Sequence, residues 1–226
     1  MYLQTIVCFA NSRKDSNRCV AGKVWQRTAR GAWLRPVGHS GSRALDPSLL
    51  AYPDGAQPSL LDIIKVPLQA RLPEGHQIEN ALVDNDYFWT KTGQLNWADI
   101  GQWVDSPLQL WHNGSQSKGM LNNRVYATAL VQSSLQLICV PKLVIKLVPA
   151  PLVGNPLRCV VVGEFVYQGV GYRLHVTDSQ IEANCRAHPA RCIEIAQPVL
   201  CISLGTCFQA HYYKLIASVL YEGRFA

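Results

Sequence analysis

The N-terminal segment carries the residues best equipped for chemistry. Arg13, Lys14 and Arg18 cluster there, Lys23 follows, and Trp33 and Arg35 come just beyond. Guanidinium and ammonium groups pair with phosphates through charge-assisted hydrogen bonds, and an exposed indole stacks on a base. The combination predicts a face for single-stranded nucleic acid or for a nucleotide. Its charge is focused: residues 1–35 hold seven Lys and Arg against one acid, Asp15, a balance of +6 that equals the net charge of the whole chain of 226 residues. A localised positive segment on an otherwise neutral protein is the electrostatic footprint of a polyanionic partner. A solvated basic surface that aids solubility is the other reading of the same residues.

A second set lies further on. His76 and Asn80, then Trp111, Asn113 and Arg124, have Gln77, Glu79, His112, Asn122 and Asn123 beside them. Amide side chains present a donor and an acceptor together and so read the edge of a base. These residues fall between predicted strands, where binding groups collect. Asn in such places also caps turns or takes left-handed backbone, which needs no ligand.

Signals for catalysis are sparse. His76 with Glu79, and Asp178 with Lys214, offer acid–base or metal-ligand pairs, but no further ligand pair accompanies either. Metal-assisted nuclease chemistry draws on several carboxylates around the ion, and this chain has only fifteen acids in all. Neither G-x-x-x-x-G-K-S/T nor G-x-G-x-x-G occurs, which removes a P-loop and a dinucleotide fingerprint. Binding without catalysis, metal or cofactor is therefore the expectation.

The eight cysteines are evenly countable into pairs, yet Cys8, Cys139, Cys159 and Cys201 sit in apolar runs where a reduced Cys acts as a small core residue. No C-x-x-C occurs, and the spacings from Cys185 to Cys192 and from Cys201 to Cys207 do not suit a zinc knuckle. Mostly buried, reduced cysteines are expected, as in a cytoplasmic protein. The short apolar run at the N-terminus has its positive charges after it, the reverse of a secretory signal. The longest apolar stretch, Leu135 to Leu152, is broken by Lys142, Lys146 and three prolines, so no membrane partner is expected.

The elements that must position these groups are strands. With 48% apolar and 16% charged residues the chain can fill a core. Segments such as YLQTIVCFA, RCVAGKVW, AWLRPV, LLDIIKVPL, LQLICVPKLVIKLV, RCVVVGEFVYQ and HYYKLIASVLYE are short, rich in β-branched and aromatic residues, and bounded by Gly, Pro, Asn or Asp. About eleven such segments predict an all-β architecture. FVYQGVGYRLHV reads as a hairpin turning at Gly169 and Gly171, and RCVAGKVWQRTARGAWLRPV as one turning at Arg30-Gly31 that brings Trp25 toward Trp33. LNWADIGQWVD reads as a helix capped by Asn96, and SQIEANCRAH as one capped by Ser179 with Glu182 reaching back. All six tryptophans fall in the first half and six of the eight cysteines after residue 138. That shift divides the chain into two units, 1–130 and 131–226, joined near 128–135.

Read in order, TIVCFANSRK, CVAG, WLRPV, LLDI, HQIEN, WHNG, LNNRV, ISLG and YYKLIA resemble the dual OB-fold domain family of prokaryotic proteins, over nearly the whole chain from Tyr2 to Leu220. The resemblance implies two consecutive OB-like barrels with one or two short helices. It also implies a nucleic-acid or nucleotide role, since OB barrels bind ligands across strands two and three and the adjoining loops. A place in a prokaryotic defence or modification system accompanies that role. A protein-interaction adaptor and a nucleotide- or nucleic-acid-processing enzyme are the alternatives, because fold alone does not dictate function.

Overall fold

The computed structural model describes residues 1–14, 16–25, 31–151 and 154–224. Asp15, Arg27 and Arg30 lie outside them, and so does the predicted turn at Arg30. The chain is mostly β and forms two compact units. One comprises Met1–Val104 with Val131–Leu135, the other Asp105–Leu130 with Gln136–Ala226.

The first unit contains β1 (Tyr2–Lys14), β2 (Asn17–Val24), β3 (Trp33–Val37), β4 (Asp62–Arg71), β5 (Asn80–Val83) and β6 (Thr90–Gln94). β1 is long enough to pair twice, with β4 through Tyr2–Val7 and with β2 through Ile6–Lys14. The double pairing closes β1-β2-β3-β5-β4 into a barrel in which β3 and β5 run parallel, and β6 adds beside β4. Closure needs β1 and β2 to approach tightly. A Cβ at Gly22 would lie 2.1 Å from the Val7 carbonyl oxygen, so the CVAG string keeps a residue with no side chain there. Ile6, Val7, Phe9, Val20, Leu34, Ile64 and Val66 are buried. Ile63, expected in the core, is only half-buried, because strand alternation puts it on the face of β4 opposite buried Ile64 and Val66.

The second unit contains β7 (Arg124–Tyr126), β8 (Leu135–Cys139), β9 (Lys142–Pro149), β10 (Cys159–Tyr167), β11 (Val170–Val176), α1 (Ser179–Ala187), β12 (Ile193–Ala196), β13 (Val199–Leu204) and β14 (His211–Leu220). Its strand order is β12-β9-β10-β11-β14-β13-β8, with β11 and β14 parallel and β7 against β14. Only Gln197 and Pro198 separate β12, which pairs β9, from β13, which pairs β14; the sheet therefore curves back on itself as a second OB-like barrel. Ile138, Val161, Leu174, Ile202 and Ile216 are in its core, while Leu215 is half-buried.

Several local expectations are corrected. Residues 105–130 cluster with the second unit, so the chain does not divide at one point near 130. Asp105 and Leu137 exchange hydrogen bonds, N to carbonyl at 2.6 Å and N to carboxylate at 2.8 Å, and β7 adds to β14. LQLICVPKLVIKLV breaks at Pro141 into β8 and β9, since proline cannot donate to a ladder. Two strands escape sequence reading: β6 is polar throughout, and β12 is only four residues long. The tryptophan-bearing helix is a 3₁₀ helix, Trp97–Trp103, whose cap is Asn96 as expected. The cap of α1 is Asp178 rather than Ser179: its carboxylate accepts from the Gln180 and Ile181 amides. The β10–β11 hairpin turns at Gln168 and Gly169, both at positive φ, while Gly171 lies within β11. Of the eight free cysteines, only Cys8, Cys185 and Cys201 are buried; Cys19 and Cys159 are half-buried and Cys139, Cys192 and Cys207 exposed. Among the described residues no helix is long and apolar enough to cross a membrane.

Candidate nucleic-acid interface

The basic residues come together where β1 hands over to β2. Their ladder sets Arg13 directly opposite Arg18, and Lys14 opposite Asn17, so two guanidinium side chains leave the same face at the tip. Arg13 is exposed, and Lys14 and Arg18 are half-buried. Residues 38–45 run alongside. Lys14 Nζ donates to the Ser42 carbonyl at 2.5 Å, and Arg18 and Leu45 exchange backbone hydrogen bonds of 2.9 and 2.8 Å. From the same loop Arg43 reaches Glu74 at 3.1 Å, tying it to the β4–β5 connection that carries His76. The tip therefore stands on a braced loop.

Lys23, Trp33 and Arg35 do not join that face. Lys23 is 2% exposed; its Nζ donates to the Trp103 carbonyl at 2.6 Å and stands 5.2 Å from the centroid of the Trp33 ring. Trp33 is half-buried and meets Phe9 edge-on at 6.3 Å. Trp25 stacks on Trp103 at 5.7 Å. Arg35 is buried, 3.3 Å from Glu79, and donates to the Ser134 hydroxyl at 2.8 Å. Ser134 in turn donates to Glu79, completing a closed triad. The face of β2 and β3 that an OB barrel offers to ligands is thus covered here by residues 97–103 and by Ser134.

The second predicted set divides between the units. In the first, Asn80 is fully buried at the start of β5, and its amide donates to Gln77 at 3.3 Å; His76 is half-buried. Glu79, the acid paired with His76 by spacing, is committed to Arg35 and Ser134. In the second, Trp111 takes positive φ and packs against the core. Asn113 Oδ1 accepts from the Tyr172 hydroxyl and from Lys214 Nζ, each at 3.0 Å. Asn122 and Asn123 hold their own loop through the amides of Gly114 and Ser117. Arg124 is half-buried on β7. Asp178 and Lys214 do not pair: Asp178 binds Arg224 at 2.7 Å, and Lys214 donates to the His112 carbonyl at 2.8 Å. Burial without a carboxylate partner pushes the Lys214 ammonium down to about 7 and the Tyr172 hydroxyl up.

Sequence reading missed a cleft in the second unit. About 770 Å³ in volume, it is lined by Met120 and Leu121 together with Lys142 and Val144 of β9, Glu164, Phe165 and Val166 of β10, and Tyr172 and Arg173 of β11. Along β10 exposed Val166 alternates with buried Phe165, and an apolar run by itself does not show which of the two lies outside. Among the described residues no three His, Cys, Asp or Glu are grouped to hold a metal ion.

No curated protein and no solved structure matches the chain. The family model for a dual OB-containing domain matches residues 4–219, which spans both barrels from β1 to β14. With two OB-like barrels built from that same span, the chain belongs to the dual OB-containing domain family.

Proposed function

We propose that this protein is an OB-fold module that binds single-stranded nucleic acid, with the phosphates taken by the β1–β2 tip of the first barrel. One observation carries the reading: Arg13 and Arg18 face each other directly across the ladder with Lys14 beside them. Two guanidinium groups that leave one face of a ladder side by side can both donate to a single phosphate. Lys23, Trp33 and Arg35 have no part in the contact, because they are spent on packing. The role of the tip is therefore electrostatic and independent of base sequence.

A titration with a short fluorescent oligothymidylate tests the reading. Wild-type affinity should fall steeply between about 50 and 200 mM salt as counterions are released. The Arg13→Ala, Arg18→Ala double variant should flatten the logarithmic salt slope by up to about 1.4, at roughly 0.7 per phosphate contact. An absence of binding at about 50 mM salt, or an unchanged slope in the variant, rejects the tip as a phosphate site.

A second reading, an adaptor that takes an apolar segment of a protein partner, is favoured by the cleft over β9–β11. Val144→Glu would then abolish partner binding and leave the salt slope for oligothymidylate as it is.

A further inference from the structure

The short ribbon made by β7 and the start of β14 carries an aromatic face. Arg124 pairs with Tyr213 and Tyr126 with His211, and the two-residue period of a strand puts all four side chains on one side. Val125 and Lys214, on the other side, are buried. Tyr126 is 59% exposed, and its ring lies 4.7 Å from that of His211. Phe208, 62% exposed, stands 6.3 Å from Tyr213.

The turn that presents Phe208 is built with some strain. Phe208 and His211 exchange backbone hydrogen bonds of 2.9 and 3.1 Å around Gln209 and Ala210, at φ of 50° and 60°. Such a turn favours Asn-Gly, and side-chain-bearing residues at both positions cost roughly 1 kcal/mol each. The His211 ring is fixed as well, its Nδ1 donating to the Gln209 carbonyl at 2.7 Å. Rings held in place in this way lose little freedom when a flat ligand stacks on them.

We propose that this face binds unpaired nucleobases, with Tyr126 and Phe208 as stacking platforms and Arg124 as the neighbouring cation. Charge favours such an occupant: residues 124–130 and 205–214 contain no Asp or Glu, and Arg124 stands on this face beside the rings. The nucleotides of a single strand bring a base π-face to each ring and a backbone phosphate to the arginine, whereas an apolar protein segment has no use for the cation. The inference deepens the proposed nucleic-acid role but rests on different residues from the β1–β2 tip.

The test uses the full chain with fluorescent oligothymidylate and an abasic oligomer of equal length and charge. Tyr126→Ala and Phe208→Ala should each weaken oligothymidylate binding about 5- to 150-fold, the factor corresponding to ~1–3 kcal/mol per stacked base. Tyr126→Trp should restore it. The salt slope should stay at the wild-type value, and wild type should bind the abasic oligomer as weakly as the Tyr126→Ala, Phe208→Ala double variant binds oligothymidylate. Equal wild-type affinity for the two oligomers, or unchanged affinity in the double variant, overturns the stacking face. A flattened slope in the Arg13→Ala, Arg18→Ala variant alongside that result leaves the tip standing. Loss of base dependence in the ribbon variants with an unaltered slope in the tip variant leaves the stacking face standing alone. No wild-type binding to either oligomer overturns both.

Discussion

Arg35 and Glu79 form an ion pair 3.3 Å apart with side chains only 7% and 3% exposed. A pair this deeply buried holds only while both partners and their hydrogen bonds remain, because removing one leaves an uncompensated charge. Glu79→Ala should therefore cost about 3–5 kcal/mol in urea-induced unfolding. The joint replacement Arg35→Met, Glu79→Leu should recover most of that loss, since well-packed apolar residues substitute for buried ion pairs at little cost.

Lys214 makes stability depend on pH. Its ammonium is pushed down to about 7 in the folded protein by burial and returns to its ordinary 10.5 on unfolding. Below pH 7 both states hold the proton and the cost of burying the charge is present in full. Between pH 7 and 10.5 the unfolded state binds one more proton, so this residue makes stability rise with pH. Lys214→Met should abolish that rise, and thermal melting of the two proteins at pH 7.0 and 8.5, below the range where tyrosines titrate, measures it.

Gly22 is held by space rather than by φ. Gly22→Ala would push a methyl group against the Val7 carbonyl oxygen and part β1 from β2, at about 1–3 kcal/mol in chemical denaturation. Gly41→Ala, with nothing within 4 Å of its Cβ position, should be nearly neutral and serves as the control.

The cysteines should titrate in two groups. Cys192 and Cys207 should react quickly with a thiol reagent in the native protein, and Cys8, Cys185 and Cys201 only after denaturation. Cys139 should lag behind Cys192 although it is exposed, because partial desolvation raises its thiol and lowers the thiolate fraction. Mass spectrometry of alkylated peptides against time distinguishes the groups.

Much of the fold was legible locally. Alternating apolar strands, the turn at Gly169 and the Asn96 cap depend on residues a few positions apart, and strand period and turn chemistry act over that range. β6 and β12 were illegible because one is polar and the other only four residues long, so their pairing comes from neighbours instead of their own pattern. The cysteines show the limit within a strand: an apolar run shows that a strand exists, but register decides which side faces inward, and a shift of one residue reverses it. Cys201 is consequently buried and Cys139 exposed.

By itself the sequence determined an all-β chain, two barrels' worth of strands, and a positive charge concentrated near the N-terminus. Which of those charges face solvent was decided only in three dimensions. Lys23 is held by Trp103, 80 residues away, and Arg35 by Ser134, 99 residues away. Arg13 and Arg18, by contrast, oppose each other across a hairpin of the same segment. Whether a cation is drawn into the interior depends on what the closed barrel brings against it, and the desolvation that makes internal pairing necessary exists only once distant segments have packed.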